Sequence, residues 1–177
     1  RGLACVPDEI RSLPLNGIVA GCGCTLIYEQ ELVASSCVDN QFIYQYLRGI
    51  FDQGGQAFLE GENCLFRVNC SPSSALPGTP LGEYCRKARL DFDIWQPLEN
   101  AEAFLQYPQA RIPKLNLVGA YTQRTLYSYQ NHFDGVVDDV KCEMYTKGHN
   151  KATGMQAMLT RYIPGFCSVA IGDSVND

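Results

Sequence analysis

Histidine is almost missing from this chain: 177 residues hold two, His132 and His149. That gives little to a histidine-dependent hydrolase, and neither HExxH nor GxSxG occurs to organise one. GxGxxG and Walker loops are missing too, which removes two common phosphate cradles. No run of about 18 apolar residues occurs, because Gly, Asn, Cys or charge breaks every long candidate, so no membrane-spanning helix is expected. Positive charge is also scarce. Lys and Arg number 14 against 19 Asp and Glu, for a net charge of -5 and a pI near 5.0. Nucleic-acid binding needs a basic patch. Here the basic residues are dispersed, and the densest group, "CRKAR" at 85–89, reads as a solvated turn. An initiator Met and a signal-type apolar segment are also missing, which reads as a mature chain whose targeting segment has gone.

What is present is a 46% hydrophobic composition, ample for a core, and nine cysteines. These are spread along the chain rather than grouped in CxxC pairs, and the two histidines lie far from the close pair Cys22 and Cys24. That distribution predicts disulfides in an oxidising compartment, hence a secreted protein, rather than a structural metal. Asn69-Cys70-Ser71 is a glycosylation sequon that agrees with secretion. An odd number of thiols leaves one for a possible inter-chain bond.

Along the chain, "PDEIRSL" has the leading Pro and first-turn acids of a short helix, and Leu15 to Gly23 reads as a turn. "CTLIYEQELVASSC" reads as extended. Asp39 or Asn40 then caps a helix on which Phe42, Ile43, Tyr46, Leu47 and Ile50 share one apolar face. "CLFRV" is a strand, and "SPSSALPGTPLG" at 71–82 is the most loop-like stretch. A helix is expected at "PLENAEAFLQY", and extended segments at "KLNLVGAYTQRTLYSY", "DVKCEMYTK", "GMQAMLTRYI" and "FCSVAIG". The predicted fold class is α+β, strand-rich and disulfide-stabilised, with 1–177 as a single domain. The alternative is two small β-rich units, a cysteine-rich one at 1–85 and a β-sandwich at 86–177.

Four segments in order carry a resemblance. "RGLACVPDEI" at the start, Ala34-Ser35-Ser36 followed by "DNQFIYQYL", the strand Leu65-Phe66-Arg67-Val68, and Glu102 ahead of Ile112-Pro113, Leu117, Gly119 and Tyr121 resemble the cholera and pertussis type of ADP-ribosyltransferase toxin. The resemblance implies a split β-sheet core and NAD as substrate without a metal, with a host protein or other acceptor, or water, receiving ADP-ribose. It implies a catalytic role for Glu102, cofactor binding by Arg1 and Ser36, and positioning by Ser35 and Ser36. The residue types suit that chemistry. A carboxylate stabilises the oxocarbenium-like state in which the nicotinamide–ribose bond breaks, and a guanidinium grips a diphosphate. Asn100 and Ala34 depart from the family's pattern. The cysteine-rich first half also resembles the two-part β-rich effectors of plant-pathogenic fungi, which implies a non-enzymatic secreted protein recognised by a host partner.

Overall fold

In "KLNLV", Leu115 and Leu117 point one way while Lys114, Asn116 and Val118 point the other, since a strand's side chains alternate. This strand lies inside a six-stranded sheet whose two faces differ in chemistry. The computed structural model describes residues 2–6, 8–119 and 127–165. In chain order the elements are α1 (Asp8–Arg11), β1 (Gly17–Ala20), β2 (Thr25–Tyr28), β3 (Glu31–Ser35), α2 (Asn40–Asp52), β4 (Gln56–Glu60), β5 (Leu65–Val68), α3 (Pro80–Ala88), β6 (Gln96–Leu98), β7 (Lys114–Val118), β8 (Phe133–Val137), β9 (Lys141–Thr146) and α4 (Lys151–Arg161). The small sheet has the order β1-β2-β3 and the large one β6-β5-β4-β7-β9-β8. Pairing in the large sheet is antiparallel except between β5 and β6. It takes β4 and β5 from before the loop-like stretch 71–82 and its other strands from after it.

One face of the large sheet, face A, is apolar across its centre. Ala57, Leu59, Phe66, Val68, Leu115, Leu117, Cys142 and Met144 pack there against Ile43, Leu47 and Ile50 of α2. Each of those three helix side chains is at most 4% exposed, so each contributes about 1.5–3 kcal/mol of burial. The Asp39 carboxylate accepts from the Gln41 amide at 2.7 Å and starts the helix. Face B is apolar only at one end, where Leu81 and Tyr84 of α3 meet Phe58, Trp95 and Val118.

The small sheet is covered by α4 through a close backbone crossing. A Cβ on Gly23, whose φ is +90°, would stand 2.0 Å from the Asn150 carbonyl oxygen, and one on Gly154 would stand 2.6 Å from the Gly23 Cα. Only glycine fits both sides. The two sheets are joined by segments that bond to one another: the Ser36 amide donates to the Cys24 carbonyl at 2.9 Å, and the Thr146 hydroxyl donates to the Ser36 carbonyl at 3.1 Å.

Several expectations are corrected. "GMQAMLTRYI" is helical, because Asn150 and Thr153 form a reciprocal capping box and Gly154 and Met158 share the buried face. The expected turn at 15–23 contains β1. The expected helix at "PLENAEAFLQY" resolves into β6 and the 3-10 turn Glu102–Gln106. The largest correction concerns disulfides. Cys5, Cys22, Cys24, Cys37, Cys64, Cys70, Cys85 and Cys142 are all free thiols, and Cys167 lies outside the described residues. Cys22, Cys24, Cys70 and Cys142 are buried, Cys70 and Cys142 within the apolar clusters, so the described fold is held by packing, hydrogen bonds and ion pairs.

Candidate functional site

The other end of face B is charged and still buried. Alternation along β4, β7 and β9 places Glu60, Lys114, Asn116, Lys141 and Glu143 on this face, with Glu60 opposite Lys114 and Asn116 opposite Glu143. Glu60, Lys114 and Glu143 are 5%, 5% and 6% exposed. The Lys114 ammonium lies 3.3 Å from Glu60 Oε1 and 3.4 Å from Glu143 Oε1, and Lys141 pairs with the second oxygen of Glu143. Asn116 Nδ2 donates to Glu60 Oε1 at 2.7 Å, the Gly2 amide to Glu60 Oε2 at 2.6 Å, and the Cys22 thiol to Glu143 Oε1 at 3.5 Å.

The charges hold one another ionised. Burial pushes the Glu143 carboxyl up, but the Lys114 and Lys141 ammonium groups override it and hold it down at about 2. Glu60 is likewise held below the ordinary carboxylate value: burial raises it, and Lys114 and the Gly2 amide more than offset that. Burial would lower Lys114, yet Glu60 and Glu143 raise it above its usual value. Asn116 Oδ1 is buried without a hydrogen-bond partner.

Two clefts open onto this network. One, of about 340 Å³, is lined by Glu60, Tyr84, Lys87, Lys114, Asp138 and Lys141. The other, of about 540 Å³, shares Glu60 and Tyr84 and runs on past Asp8, Glu9, Arg89, Asp91 and Trp95. α3 is their common wall. It is positioned by the Thr79 cap, Pro80 in its first turn, and the burial of Leu81 and Tyr84. A floor of fixed, mutually neutralising cations and anions provides donors and acceptors for hydroxyl groups.

The residues singled out by sequence lie elsewhere. The Ser35 hydroxyl accepts from Arg111 at 3.1 and 2.5 Å, and Arg111 also bonds Glu62 at 2.9 Å. Ser36 bonds through its backbone, at the junction between the sheets. Glu102 is exposed on its 3-10 turn and accepts from the Tyr44 hydroxyl at 3.2 Å. Among the described residues no hydrogen bond or ion pair joins Glu102 to either serine, and Arg1 lies outside them. "CRKAR" is no loop: it ends α3, with Arg86 paired to Glu83 and Arg89 in the left-handed conformation. Glu60-Gly61-Glu62 supplies two buried carboxylates.

The network was readable in part. K-x-N in "KLNLV" and K-x-E in "VKCEMY" put polar residues at alternate positions of strands whose other face is apolar, which marks either a solvated face or a site. That these faces are buried and adjacent is a tertiary fact.

No family model matches the chain, and no curated protein matches it. Solved structures do. A phosphatase of the haloalkanoate enzyme superfamily from Bacteroides thetaiotaomicron superposes with a TM-score of 0.66 at 12% identity, over 92% of this chain and 57% of that one. A sugar phosphatase of subclass IIB of the same superfamily gives 0.63 at 9% identity, over 87% and 55%. A haloacid dehalogenase-like hydrolase from B. subtilis gives 0.65 at 8%, over 87% and 61%. The chain therefore spans little more than half the length of these structures. At such identities the likeness is one of fold. It overturns the split-sheet ADP-ribosyltransferase fold with its NAD chemistry and gives the effector reading no support: short motifs in the right order were matched where the three-dimensional arrangement is another. This chain shares its fold with little more than half of these haloacid dehalogenase-like structures.

Proposed function

We propose that the chain belongs to a phosphohydrolase that releases phosphate from a hydroxyl-rich small molecule, and that the charged half of face B holds the leaving group. The observation that carries this is the fold likeness to a sugar phosphatase, together with a neutral, fixed donor–acceptor floor in the cleft. Carboxylate oxygens of Glu60 accept from substrate hydroxyls and the Lys141 ammonium donates to them. Held in place by the network, these groups orient the substrate without reorganising.

The metal-free chemistry expected with NAD does not carry over, because phosphoryl transfer customarily uses a hard cation such as Mg²⁺ to offset developing charge. Among the described residues no three His, Cys, Asp or Glu side chains form a group able to hold a metal, so the described site does not fit one and no step is routed through it. The oxygen-rich sequence Asp173-Ser174-Val175-Asn176-Asp177, outside the described residues, has the donor chemistry a hard cation prefers.

The test is phosphate release by the full-length protein from sugar phosphates and from p-nitrophenyl phosphate, with Mg²⁺ and with a chelator. Release that needs Mg²⁺, with a Lys141→Ala variant raising KM for sugar phosphates several-fold and leaving p-nitrophenyl phosphate unaffected, supports the reading. No release from any phosphate ester refutes it.

A further inference from the structure

The larger cleft has an apolar side that the hydroxyl-binding floor leaves unused. Ala4, Val6, Ala88 and Leu90 line it half-buried, and Ile94 stands in it 54% exposed. Tyr84 and Trp95 supply its aromatic part. Both pack on the buried Phe58 ring, Tyr84 stacked at 5.1 Å and Trp95 edge-on at 4.9 Å between centroids. At 5% and 4% exposed, they offer the cleft only a margin of each ring. The charged residues of the same cleft are placed differently. Glu60 belongs to the neutral floor, while Asp8, Glu9, Arg89 and Asp91 are exposed, where water screens them. Single exposed apolar side chains are ordinary, but a concave group of them beside an aromatic cluster is the lining of a ligand site.

The two clefts share Glu60, Tyr84 and Ala88. A ligand reaching from Lys114 and Lys141 in the smaller cleft to Ile94 in the larger is therefore hydroxylated at one end and apolar at the other. An aromatic ring suits the apolar end. Against the margins of Tyr84 and Trp95 it makes the edge contacts that aromatic pairs favour, and a rigid ring loses little conformational freedom on binding. We propose that the substrate is an aryl glycoside phosphate, its sugar hydroxyls on the charged floor and its neutral aromatic aglycone against Ile94, Leu90 and the margins of Tyr84 and Trp95. Hydrolysis breaks the P–O bond to the sugar: water supplies the new oxygen of phosphate, the sugar oxygen takes a proton, and the glycosidic bond stays intact. Ile94 is the specificity-determining residue. The proposal rests on the phosphohydrolase reading for the reaction but not for the binding.

The experiment compares phenyl and methyl 6-phospho-β-D-glucopyranoside as substrates of the full-length protein and of Ile94→Ser, a change at a side chain more than half exposed. Trp95 is the one tryptophan of the chain, so its fluorescence, excited at a wavelength that phenyl groups do not absorb, follows binding of the unphosphorylated phenyl and methyl glucosides without any turnover. The expected result is a kcat/KM at least tenfold higher for the phenyl ester, an advantage that Ile94→Ser cuts to threefold or less while leaving the methyl ester unchanged. Equal rates for the two esters, or an advantage that survives Ile94→Ser, overturn the proposal and leave the phosphohydrolase reading in place. If neither ester is hydrolysed, fluorescence decides the proposal separately: saturable binding of phenyl glucoside, weakened several-fold by Ile94→Ser and at least tenfold tighter than that of methyl glucoside, upholds it, and absence of binding or equal binding of the two overturns it.

Discussion

Replacing Lys114 by methionine should destabilise the protein by about 3–5 kcal/mol at neutral pH, the cost of leaving buried charge unpaired. The magnitude follows from the geometry. One ammonium lies 3.3 Å from Glu60 and 3.4 Å from Glu143, and all three groups are at least 92% buried at the side chain. Methionine fills the same volume, so packing loss is small and the electrostatic change dominates. The pH dependence separates this from a simple packing defect. In the parent, Glu143 titrates at about 2 when folded, against an ordinary 4.5. The unfolded chain thus binds more protons between these values, and this stabilisation, complete above about 4.5, is lost as pH falls toward about 2. In Lys114→Met the carboxylates lose their main cation and burial raises their titration, so the variant recovers stability as it is acidified. Urea denaturation at pH 7 and pH 4 should therefore show the gap between parent and variant narrowing by at least half. A gap below 1 kcal/mol at pH 7, or one constant across that range, would refute the buried-network account. Lys114→Met combined with Glu143→Gln should be less destabilised than the sum of the two single changes.

Further outcomes follow from the same coordinates. Gly23→Ala should cost at least about 3 kcal/mol, since its Cβ would lie 2.0 Å from a carbonyl oxygen at positive φ, and a thermal midpoint within a degree or two of the parent would contradict the crossing of β-loop and α4. Leu47→Ala, at a site 1% exposed, should cost about 2–5 kcal/mol by chemical denaturation. Asn150→Ala removes the α4 cap and should cost about 1 kcal/mol. Unfolding the unreduced protein in the presence of Ellman's reagent should release at least the eight described thiols; a count of four or fewer would restore a disulfide framework.

Sequence periodicity located what is locally encoded. The helical spacing of Ile43, Leu47 and Ile50 and the cap at Asp39 led directly to α2, and "CLFRV" and "KLNLV" to β5 and β7. It failed where the signal was not periodic. The helix α4 announces itself only through Asn150 and Thr153, since its buried side is made of Gly154 and Met158, too sparse to show an apolar stripe. The cysteines misled most. Their number suggests cross-links, but pairing is a distance between sulfurs, and burial in apolar surroundings explains thiols such as Cys70 and Cys142 equally well. Glu102 and Arg1 were chosen because their types suit an oxocarbenium ion and a diphosphate, which is sound chemistry without a location. Glu60 and Glu62 carry no comparable signal, because E-G-E at a strand end looks like an exposed turn.

The asymmetry of the large sheet bears on what kind of site this is. If stability alone governed face B, the apolar chemistry of Phe58, Val118 and Trp95 would continue to its far end, since replacing a buried ion network by well-packed apolar residues is often neutral or stabilising. Face A does run apolar from β5 to β8. Face B instead turns to Glu60, Lys114 and Glu143 beside the clefts that α3 walls. Under the proposed function, charges that add little to folding are retained for what the substrate contacts in the cleft. A variant with Glu60, Lys114 and Glu143 replaced together by Leu, Met and Leu should therefore fold with stability close to that of the parent while losing the ability to distinguish sugar phosphates; retention of that selectivity would show the network to be structural after all.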